Sequence, residues 1–204
     1  NYQRVIKSLV LSCIAMVQLL IHYMKTNDLI LQAREERLLN IQSLFTKAII
    51  CVKANIPGND KQIKIAYVLV RLFKNIIVNQ IKVLDYFAFD SADGPYYLIR
   101  VDKDLSLKKQ LIEIEETHPL GRFIDLDFFC ENDKSVFRKE LNLSPRQCYL
   151  CDKPAIICAR NKSHTLTELI TYINDKVEKY LDQYLEETIN LAIMTELNLE
   201  DKFG

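Results

Sequence analysis

Two aspartates alternate with apolar residues in the stretch Phe-Ile-Asp-Leu-Asp-Phe-Phe at residues 123–129. Because side chains of a strand alternate between its faces, we expect Asp125 and Asp127 on one face and the apolar residues on the other. Neighbouring carboxylates repel each other unless a cation lies between them, and their hard oxygen ligands suit Mg²⁺. The spacing is therefore typical of a metal site for phosphoryl or nucleotidyl transfer. The alternative is a strand whose aspartates only face solvent.

A second group of residues with metal-ligand chemistry comprises Cys148, Cys151, Cys158 and His164. Three thiolates and one imidazole make a tetrahedral zinc set, and the Cys-x-x-Cys spacing fits a zinc knuckle. Two other interpretations are open: reduced core thiols beside a packed imidazole, or a redox-active thiol site. Basic residues surround this segment, Arg146 and Arg160 among them. They form either a solvated face or a surface for a polyanionic ligand.

A third candidate is the turn Asn-Ile-Pro-Gly-Asn-Asp-Lys at residues 55–61. It precedes a predicted helix, with Asn59 or Asp60 as the capping residue. Helix N-termini bind phosphate through free N–H groups, and Lys61 would add a positive charge close to Gly58. An ordinary turn explains the same residues.

The elements that must position these residues follow from hydrophobic periodicity. A helix is predicted over residues 29–46. The order strand, helix, strand, strand, helix, strand then follows over residues 47–55, 61–80, 82–90, 95–101, 105–117 and 122–130. That order predicts an α+β protein with the ferredoxin-like (split βαβ) arrangement, an antiparallel sheet with both helices on one face. The aspartates would then lie on the open face of the sheet.

The Cys/His segment at residues 144–164 follows this core, and a long C-terminal helix with apolar residues at helical spacing is predicted over residues 165–200. No internal repeat and no Gly- or Pro-rich linker divides the chain. We therefore expect a single domain over residues 24–204, with its α/β core at residues 47–130.

Composition excludes several classes of protein. The 204 residues contain 27 Lys and Arg against 27 Asp and Glu, whereas a dedicated nucleic-acid binder would carry a basic excess. The apolar fraction of 49% excludes general disorder, and six cysteines are too few for a secreted disulfide scaffold. We expect a cytoplasmic globular protein that binds no nucleic acid.

The amino-terminal residues 8–23 carry no formal charge. The stretch is shorter than the roughly 20 residues of a membrane span, and no small-residue cleavage site follows it. It is either an apolar helix packed on the protein body or part of an upstream extension over residues 1–23. We favour the extension, with Met24 as the native start, because a polar helix-start segment follows Met24. We expect no membrane anchor.

Two motifs in this chain occur together in a known family. They are His-Pro-Leu-Gly-Arg-Phe-Ile-Asp-Leu-Asp at residues 118–127, and Pro-Arg-Gln-Cys-Tyr-Leu-Cys at residues 145–151 followed by Cys-Ala-Arg at 158–160 and His164. They closely resemble the CitX family, the holo-[acyl-carrier-protein] synthases of citrate lyase, also called apo-citrate lyase phosphoribosyl-dephospho-CoA transferases. The Asn-Ile-Pro-Gly turn at 55–58, the Asp-Gly-Pro turn at 93–95 and Ala-Arg-Glu-Glu-Arg at 33–37 also fit the family's amino-terminal half. Residues 1–23 have no counterpart in it.

The resemblance implies a nucleotidyltransferase-type reaction. A serine of the acyl-carrier (gamma) subunit of citrate lyase would attack the α-phosphate of 2′-(5″-triphosphoribosyl)-3′-dephospho-CoA and release pyrophosphate. Two alternatives are a non-enzymatic, zinc-stabilised interaction module and a nucleotidyltransferase that acts on a different carrier protein.

In the implied reaction, Asp125 and Asp127 would hold Mg²⁺ against the triphosphate, and Arg122 and Lys61 would neutralise phosphate charge. His118 would either take the serine proton or brace the turn before the proline that follows it.

The rest of the implied substrate-binding surface comprises Gly58, Arg146 and Arg160. The Cys/His segment would form a scaffold near the site, with Zn²⁺ as its candidate metal, rather than perform chemistry.

Overall fold

Four β-strands form one antiparallel sheet in a computed structural model that describes residues 25–130 and 144–200. They are β1 (Ala48–Ala54), β2 (Val83–Phe89), β3 (Tyr96–Val101) and β4 (Ile124–Cys130). The strand order across the sheet is β2-β3-β1-β4, so β1 lies between β3 and β4 and pairs antiparallel with both. A strand covered on both faces needs a continuous apolar run, which explains the buried sequence Ala-Ile-Ile-Cys-Val in β1.

Five α-helices are present within the described residues: α1 (residues 25–44), α2 (Lys64–Gln80), α3 (Ser106–Thr117), α4 (Ala155–Asn161) and α5 (Leu166–Glu200). The apolar stripes of α2 and α3 pack on one face of the sheet, together with Ile173 and Val177 of α5. The α+β class, the antiparallel sheet and the long final helix confirm the sequence prediction. Helix α4, within the Cys/His segment, was not predicted.

Helix α1 packs on the opposite face of the sheet. Its Ile41 is buried against Ile49 and Cys51 of β1, Leu98 of β3 and Phe129 of β4. The expectation of helices on one face only, with the other face open, is therefore wrong, because α1 covers part of the face that carries the aspartates. An amphipathic pattern predicts that a helix is buried on one side, but it does not specify which surface that side contacts.

Two of the boundaries that differ from the prediction lie next to candidate residues. Helix α2 begins at Lys64 with Ile63 in the cap position and no side-chain cap, so Asn59 and Asp60 do not cap it and Lys61 precedes it. Strand β4 begins at Ile124, because residues Gly121–Phe123 form a 3₁₀ turn. Arg122 therefore lies in that turn.

Charged side chains of α3 cover the outer edge of β4. The backbone N–H of Leu126 donates to Oε1 of Glu115 at 2.8 Å, and Nζ of Lys108 donates to the carbonyl oxygen of Leu126 at 3.0 Å. Both charged residues are buried. They satisfy backbone groups that an edge strand otherwise leaves unpaired, so α3 fixes the strand that carries the aspartates.

Residues 1–24, and with them the predicted 1–23 extension, lie outside the described residues, as do residues 131–143 and 201–204. Within the described part, no helix has both the length and the apolar character needed to cross a membrane.

Gly121 marks the closest backbone approach among the described glycines. A Cβ there would lie 2.3 Å from the carbonyl oxygen of Glu115, in the last turn of α3. We expect Gly121→Ala to lower the free energy of unfolding by about 3 kcal/mol, measured by urea titration, because two backbone segments must separate.

The matched control is Gly58→Ala. A Cβ at Gly58 would meet only the flexible methyl groups of Leu166, at 2.9 Å, although its φ of +83° adds strain. We expect a loss of about 1–2 kcal/mol from that strain. If the two substitutions cost the same, the contact at Gly121 is not the dominant constraint.

Candidate active site

The two aspartates project from the face of β4 that α1 partly covers. In the register of the sheet, Asp125 lies opposite Lys53 and Asp127 lies opposite Cys51, both in β1. The two carboxylate-bearing residues are partly exposed, whereas the alternating residues Ile124, Leu126 and Phe128 are buried in the main core. The alternation expected from the sequence is therefore present in the structure.

Asp125 is held by two cations. Arg146 donates a hydrogen bond to its Oδ1, and Nζ of Lys53 lies 3.9 Å from its Oδ2. The same Nζ lies 3.7 Å from Oδ2 of Asp93, in the turn before β3. One ammonium group thus faces two carboxylates, and it reduces their repulsion in this partly buried region.

Asp93 anchors helix α1 to this site. Its side chain is only 1% exposed and accepts hydrogen bonds from Arg34 at 3.2 Å and from Arg37 at 2.7 Å. Burial raises the pKa of Asp93, but Lys53 and the two arginines outweigh burial and hold the pKa below its ordinary value. The Asp-Gly-Pro turn therefore presents an ionised carboxylate that gathers three cations beside the aspartate pair.

Asp127 forms no hydrogen bond or ion pair within the part of the chain that the structure describes. Burial raises its pKa, and the negative charge of Asp125 raises it further. A part-buried carboxylate that makes no hydrogen bond or ion pair with the described residues, next to a second carboxylate on the same face, is an arrangement that a divalent cation would stabilise. The residues present therefore fit a hard cation with oxygen ligands.

Arg146 connects the aspartates to the Cys/His segment. Its Nη1 donates to Asp125, and its Nη2 donates to Oε1 of Glu115 at 2.5 Å. Burial lowers the pKa of Arg146, but the charges of Asp125 and Glu115 raise it above its ordinary value. Burial raises the pKa of Glu115 above its ordinary value, because its effect is larger than the opposing effect of the Arg146 charge.

Replacement of Arg146 is expected to destabilise the fold. Arg146→Met keeps the apolar stem of the side chain but removes the guanidinium that pairs with the buried Glu115, so we expect a loss of about 3 kcal/mol in the free energy of unfolding at pH 7. The added substitution Glu115→Gln should recover part of this loss, because an amide still accepts from the Leu126 N–H without carrying a charge. Urea unfolding of the two single variants and the double variant measures the coupling. Strictly additive losses would contradict the pairing.

The four residues of the predicted Cys/His set converge. The Sγ atom of Cys151 lies 3.5 Å from Sγ of Cys158 and 3.4 Å from Nε2 of His164, and the ligand atoms of all four residues, with Cys148, lie within 4.8 Å of one another. Ligands about 2.0–2.3 Å from a tetrahedral zinc ion are themselves separated by roughly 3.5–3.8 Å. The cluster can therefore hold a metal ion with only small shifts of its side chains.

Local structure explains how His164 reaches the cysteines. Helix α4 ends at Asn161, and the capping residue Lys162 that follows has a φ of 48°, in the left-handed region, which turns the chain. Helix α5 then begins with a capping box, in which Thr165 Oγ1 accepts from the N–H of Glu168 at 3.2 Å and Oε2 of Glu168 accepts from the N–H of Thr165 at 2.7 Å. The two helix ends hold the histidine in a short, fixed connection.

Both ring nitrogens of His118 are engaged. Its Nδ1 accepts from the backbone N–H of Leu120 at 3.0 Å, and its Nε2 lies 3.2 Å from the hydroxyl oxygen of Tyr180. Its ring packs against Phe73 with a centroid distance of 4.7 Å, and burial lowers its pKa. These contacts place His118 on the face of the sheet that α2, α3 and α5 cover, as part of the turn that leads into β4.

Gly58, Arg122 and Arg146 line a common cavity of about 720 Å³. It lies between the turn at residues 55–58 and helices α4 and α5. The guanidinium of Arg122 lies over the ring of Tyr149, with its central carbon 5.7 Å from the ring centroid.

Two predicted phosphate-binding residues lie elsewhere. Lys61 is partly buried and donates to the carbonyl oxygen of Ile56. Burial and the nearby Lys53 lower its pKa, so Lys61 belongs with the charges around Asp93 rather than with the cavity. Arg160 is exposed on α4 and does not line the cavity.

The sequence interpretation did not single out Arg34, Arg37, Lys53 or Asp93 as site residues. Signals for them were present. Lys53 is the one charged residue in the apolar strand β1, and Ala-Arg-Glu-Glu-Arg and Asp-Gly-Pro were noted only as family features. What the sequence lacked was the packing of α1 across the sheet, which brings these residues together.

The sequence is similar to those of known proteins. The family described as CitX, apo-citrate lyase phosphoribosyl-dephospho-CoA transferase, matches residues 25–180. Protein CitXG of Haemophilus influenzae is 29% identical over 189 residues, which make up 87% of this chain and 40% of that protein. Protein CitXG of Leuconostoc mesenteroides subsp. cremoris is 32% identical over 154 residues, 72% of this chain and 33% of that protein.

An apo-citrate lyase phosphoribosyl-dephospho-CoA transferase of Escherichia coli is 39% identical over 84 residues, 41% of this chain and 46% of that protein. The matched regions therefore span between a third and a half of the length of these curated relatives. The family match contains the aspartate pair, the cations around it and the whole Cys/His cluster. The chain belongs to the CitX family of apo-citrate lyase phosphoribosyl-dephospho-CoA transferases.

Proposed function

We propose that this protein transfers a phosphoribosyl-dephospho-CoA group to a serine of the acyl-carrier (gamma) subunit of citrate lyase. The serine Oγ forms a bond to the α-phosphorus of 2′-(5″-triphosphoribosyl)-3′-dephospho-CoA. The bond from that phosphorus to the oxygen bridging to the β-phosphate breaks, and pyrophosphate leaves with the bond's electrons. The serine proton passes to solvent or to a base, and the carrier keeps a phosphodiester. The family membership and the name of the Escherichia coli relative support this reaction.

The observation that carries the proposal is the aspartate pair with the positively charged side chains around it. Asp125 and Asp127 share one face of β4, and Asp127 has no partner among the described residues. Mg²⁺ held by these oxygens would neutralise the triphosphate and stabilise the leaving pyrophosphate.

The cations of the site would hold the anionic donor around the carboxylates. Lys53 faces both Asp93 and Asp125, and Arg34 keeps 48% of its side chain exposed, so its remaining N–H groups can reach a bound phosphate. Preorganised charges of this kind stabilise the negative charge that develops on the leaving group. Arg122 and Arg146 would contribute from the cavity side.

We assign His118 a positioning role. Its two ring nitrogens are occupied by Leu120 and Tyr180, and the turn that it braces leads directly to Arg122 and β4. These contacts favour the brace over the proton acceptor among the two roles considered for this residue.

We further propose that the Cys/His cluster binds a structural Zn²⁺. A closed set of three cysteines and one histidine supports zinc over a hard cation, because thiolates are soft ligands. The metal would fix the segment that supplies Arg146 to Asp125. The thiolate ligands also support a cytoplasmic location, since they persist in a reducing compartment.

The ferredoxin-like arrangement is also a proposal. The chain order β1-α2-β2-β3-α3-β4 and the sheet order β2-β3-β1-β4 support it, since α2 and α3 both pack on the same face. We treat residues 24–204 as one domain, because Arg146 ties the Cys/His segment to β4 and α3.

Incubation with the apo carrier subunit and the triphosphoribosyl donor tests the function. We expect the intact mass of the carrier to rise by the mass of the donor less pyrophosphate. A second, unrelated acyl carrier protein serves as the specificity control. Equal modification of both carriers would support a different or broader acceptor, and an unmodified carrier would leave the non-enzymatic interaction module as the better account.

A further inference from the structure

The cavity between residues 55–58 and helices α4 and α5 is here called the loop–helix cavity. It is lined by apolar residues, by cations and by three members of the Cys/His cluster: Cys148, Cys158 and His164. Its apolar residues come from the turn and from both helices: Pro57, Ala155, Ala159, Leu166 and Leu169. Its cations are Arg122, Arg146 and Lys162. Its volume of about 720 Å³ lies within the range of small-molecule pockets. Apolar walls with a few cations suit a flat heterocycle that carries phosphate groups.

The cavity adjoins the aspartate pair through a single side chain. Arg146 lines the cavity and also donates to Asp125. On another wall, Tyr149 donates its hydroxyl hydrogen to the carbonyl oxygen of Asn55 at 2.7 Å, and its ring lies under the Arg122 guanidinium. The two arginines are thus held in place before any ligand binds, which lowers the cost of binding an anion.

We propose that the loop–helix cavity binds the adenosine part of the donor, with its 5′-diphosphate beside Lys162 and Arg122 and its 2′ branch directed past Arg146 to Asp125. The inference rests on the proposed function, because it takes the donor from there. That donor carries phosphate-containing branches at two positions of one ribose. The cations of this cavity belong to separate elements, and one of them, Arg146, also contacts Asp125. Such an arrangement matches a nucleoside with two anionic branches.

The test uses 3′-dephospho-CoA, which lacks the triphosphoribosyl group and cannot react, with binding measured by calorimetry. Ala159 is exposed on α4, so Ala159→Phe fills the cavity without disturbing the core. We expect this variant to bind at least about tenfold more weakly than the wild type. The matched control is Ile156→Phe on the same helix, 53% exposed and outside the cavity lining, which should bind within about twofold of the wild type.

A second variant tests the phosphate contact independently. Lys162→Asn removes the charge and suits the left-handed backbone at this position. We expect about fivefold weaker binding of 3′-dephospho-CoA and unchanged binding of adenosine. Wild-type affinity in both Ala159→Phe and Lys162→Asn would overturn the proposal, as would strong binding of 4′-phosphopantetheine with none of AMP.

The outcomes separate this proposal from the proposed function. If the wild type modifies the carrier and Ala159→Phe does so with an unchanged KM for the donor, the cavity assignment fails and the reaction stands. If 3′-dephospho-CoA binds and Ala159→Phe blocks it, but no carrier is modified, the cavity assignment stands and the reaction fails.

Discussion

Asp127→Asn is expected to lower kcat for carrier modification by about 10²–10³-fold while leaving the fold intact. The amide matches the carboxylate in size but lacks the charge that would hold a divalent cation. Asp127 makes no hydrogen bond or ion pair in the described part of the chain, so no structural contact there is lost. A time course of carrier mass measures the effect.

The same substitution is expected to stabilise the metal-free protein. Burial and Asp125 raise the pKa of Asp127 above its ordinary value of 3.8, so the folded state binds this proton more tightly than the unfolded chain does. The free energy of unfolding therefore falls as the pH rises from about 4 through the raised pKa of Asp127, and it remains lower at every pH above that pKa. Asp127→Asn removes this loss. The Tm difference between variant and wild type should be small near pH 4 and should grow toward neutral pH.

Asp102→Asn is the matched control for both measurements. Asp102 is half exposed and pairs with Lys47, away from the site, so activity should stay within about twofold of the wild type. Added Mg²⁺ should raise the Tm of the wild type and of Asp102→Asn but not of Asp127→Asn. Full activity in Asp127→Asn would remove the aspartate pair from the reaction.

Short-range patterns made most of the elements predictable. The alternation of Asp and apolar residues in β4 and the apolar run of β1 reflect burial on one face or on both. The position of helix α1 was not predictable in this way, because its contacts with Ile49, Leu98 and Phe129 join segments far apart in the chain. Pairing of distant surfaces depends on the packing of the whole sheet, which no local pattern encodes.

The same distinction between local patterns and long-range packing applies to the candidate site. The Cys/His cluster was predictable because its four ligands lie close together in sequence at zinc-ligand spacing. The cations around Asp93 were not, because Arg34, Arg37 and Lys53 come from two other elements and meet only when α1 covers the sheet. Arg146 was expected only as a substrate-binding residue. Its hydrogen bond to Glu115 was not predictable, because it depends on how α3 packs along the edge of β4.

Cys151→Ser is expected to abolish metal binding by the Cys/His cluster and to lower the Tm by roughly 10 °C or more. Cys151 contacts both Cys158 and His164, so its loss opens the centre of the set. The purified wild type should contain about one zinc ion per chain by elemental analysis, because structural sites are four-coordinate and closed. A strong chelator should lower the wild-type Tm to that of the variant, since thiolate-bound metal contributes directly to folding.

Cys51→Ala provides the control for this experiment, because Cys51 is a buried thiol of β1, outside the cluster, whose pKa burial raises to about 12. It should keep its zinc and should still lose stability to the chelator. After treatment with the chelator, the wild type should modify the carrier more slowly, and added Mg²⁺ should not restore the rate. The reason is that loss of zinc would loosen the segment that holds Arg146 against Asp125. A wild type with little zinc, full activity and a Tm indifferent to chelator would identify the four residues as reduced thiols and a packed imidazole.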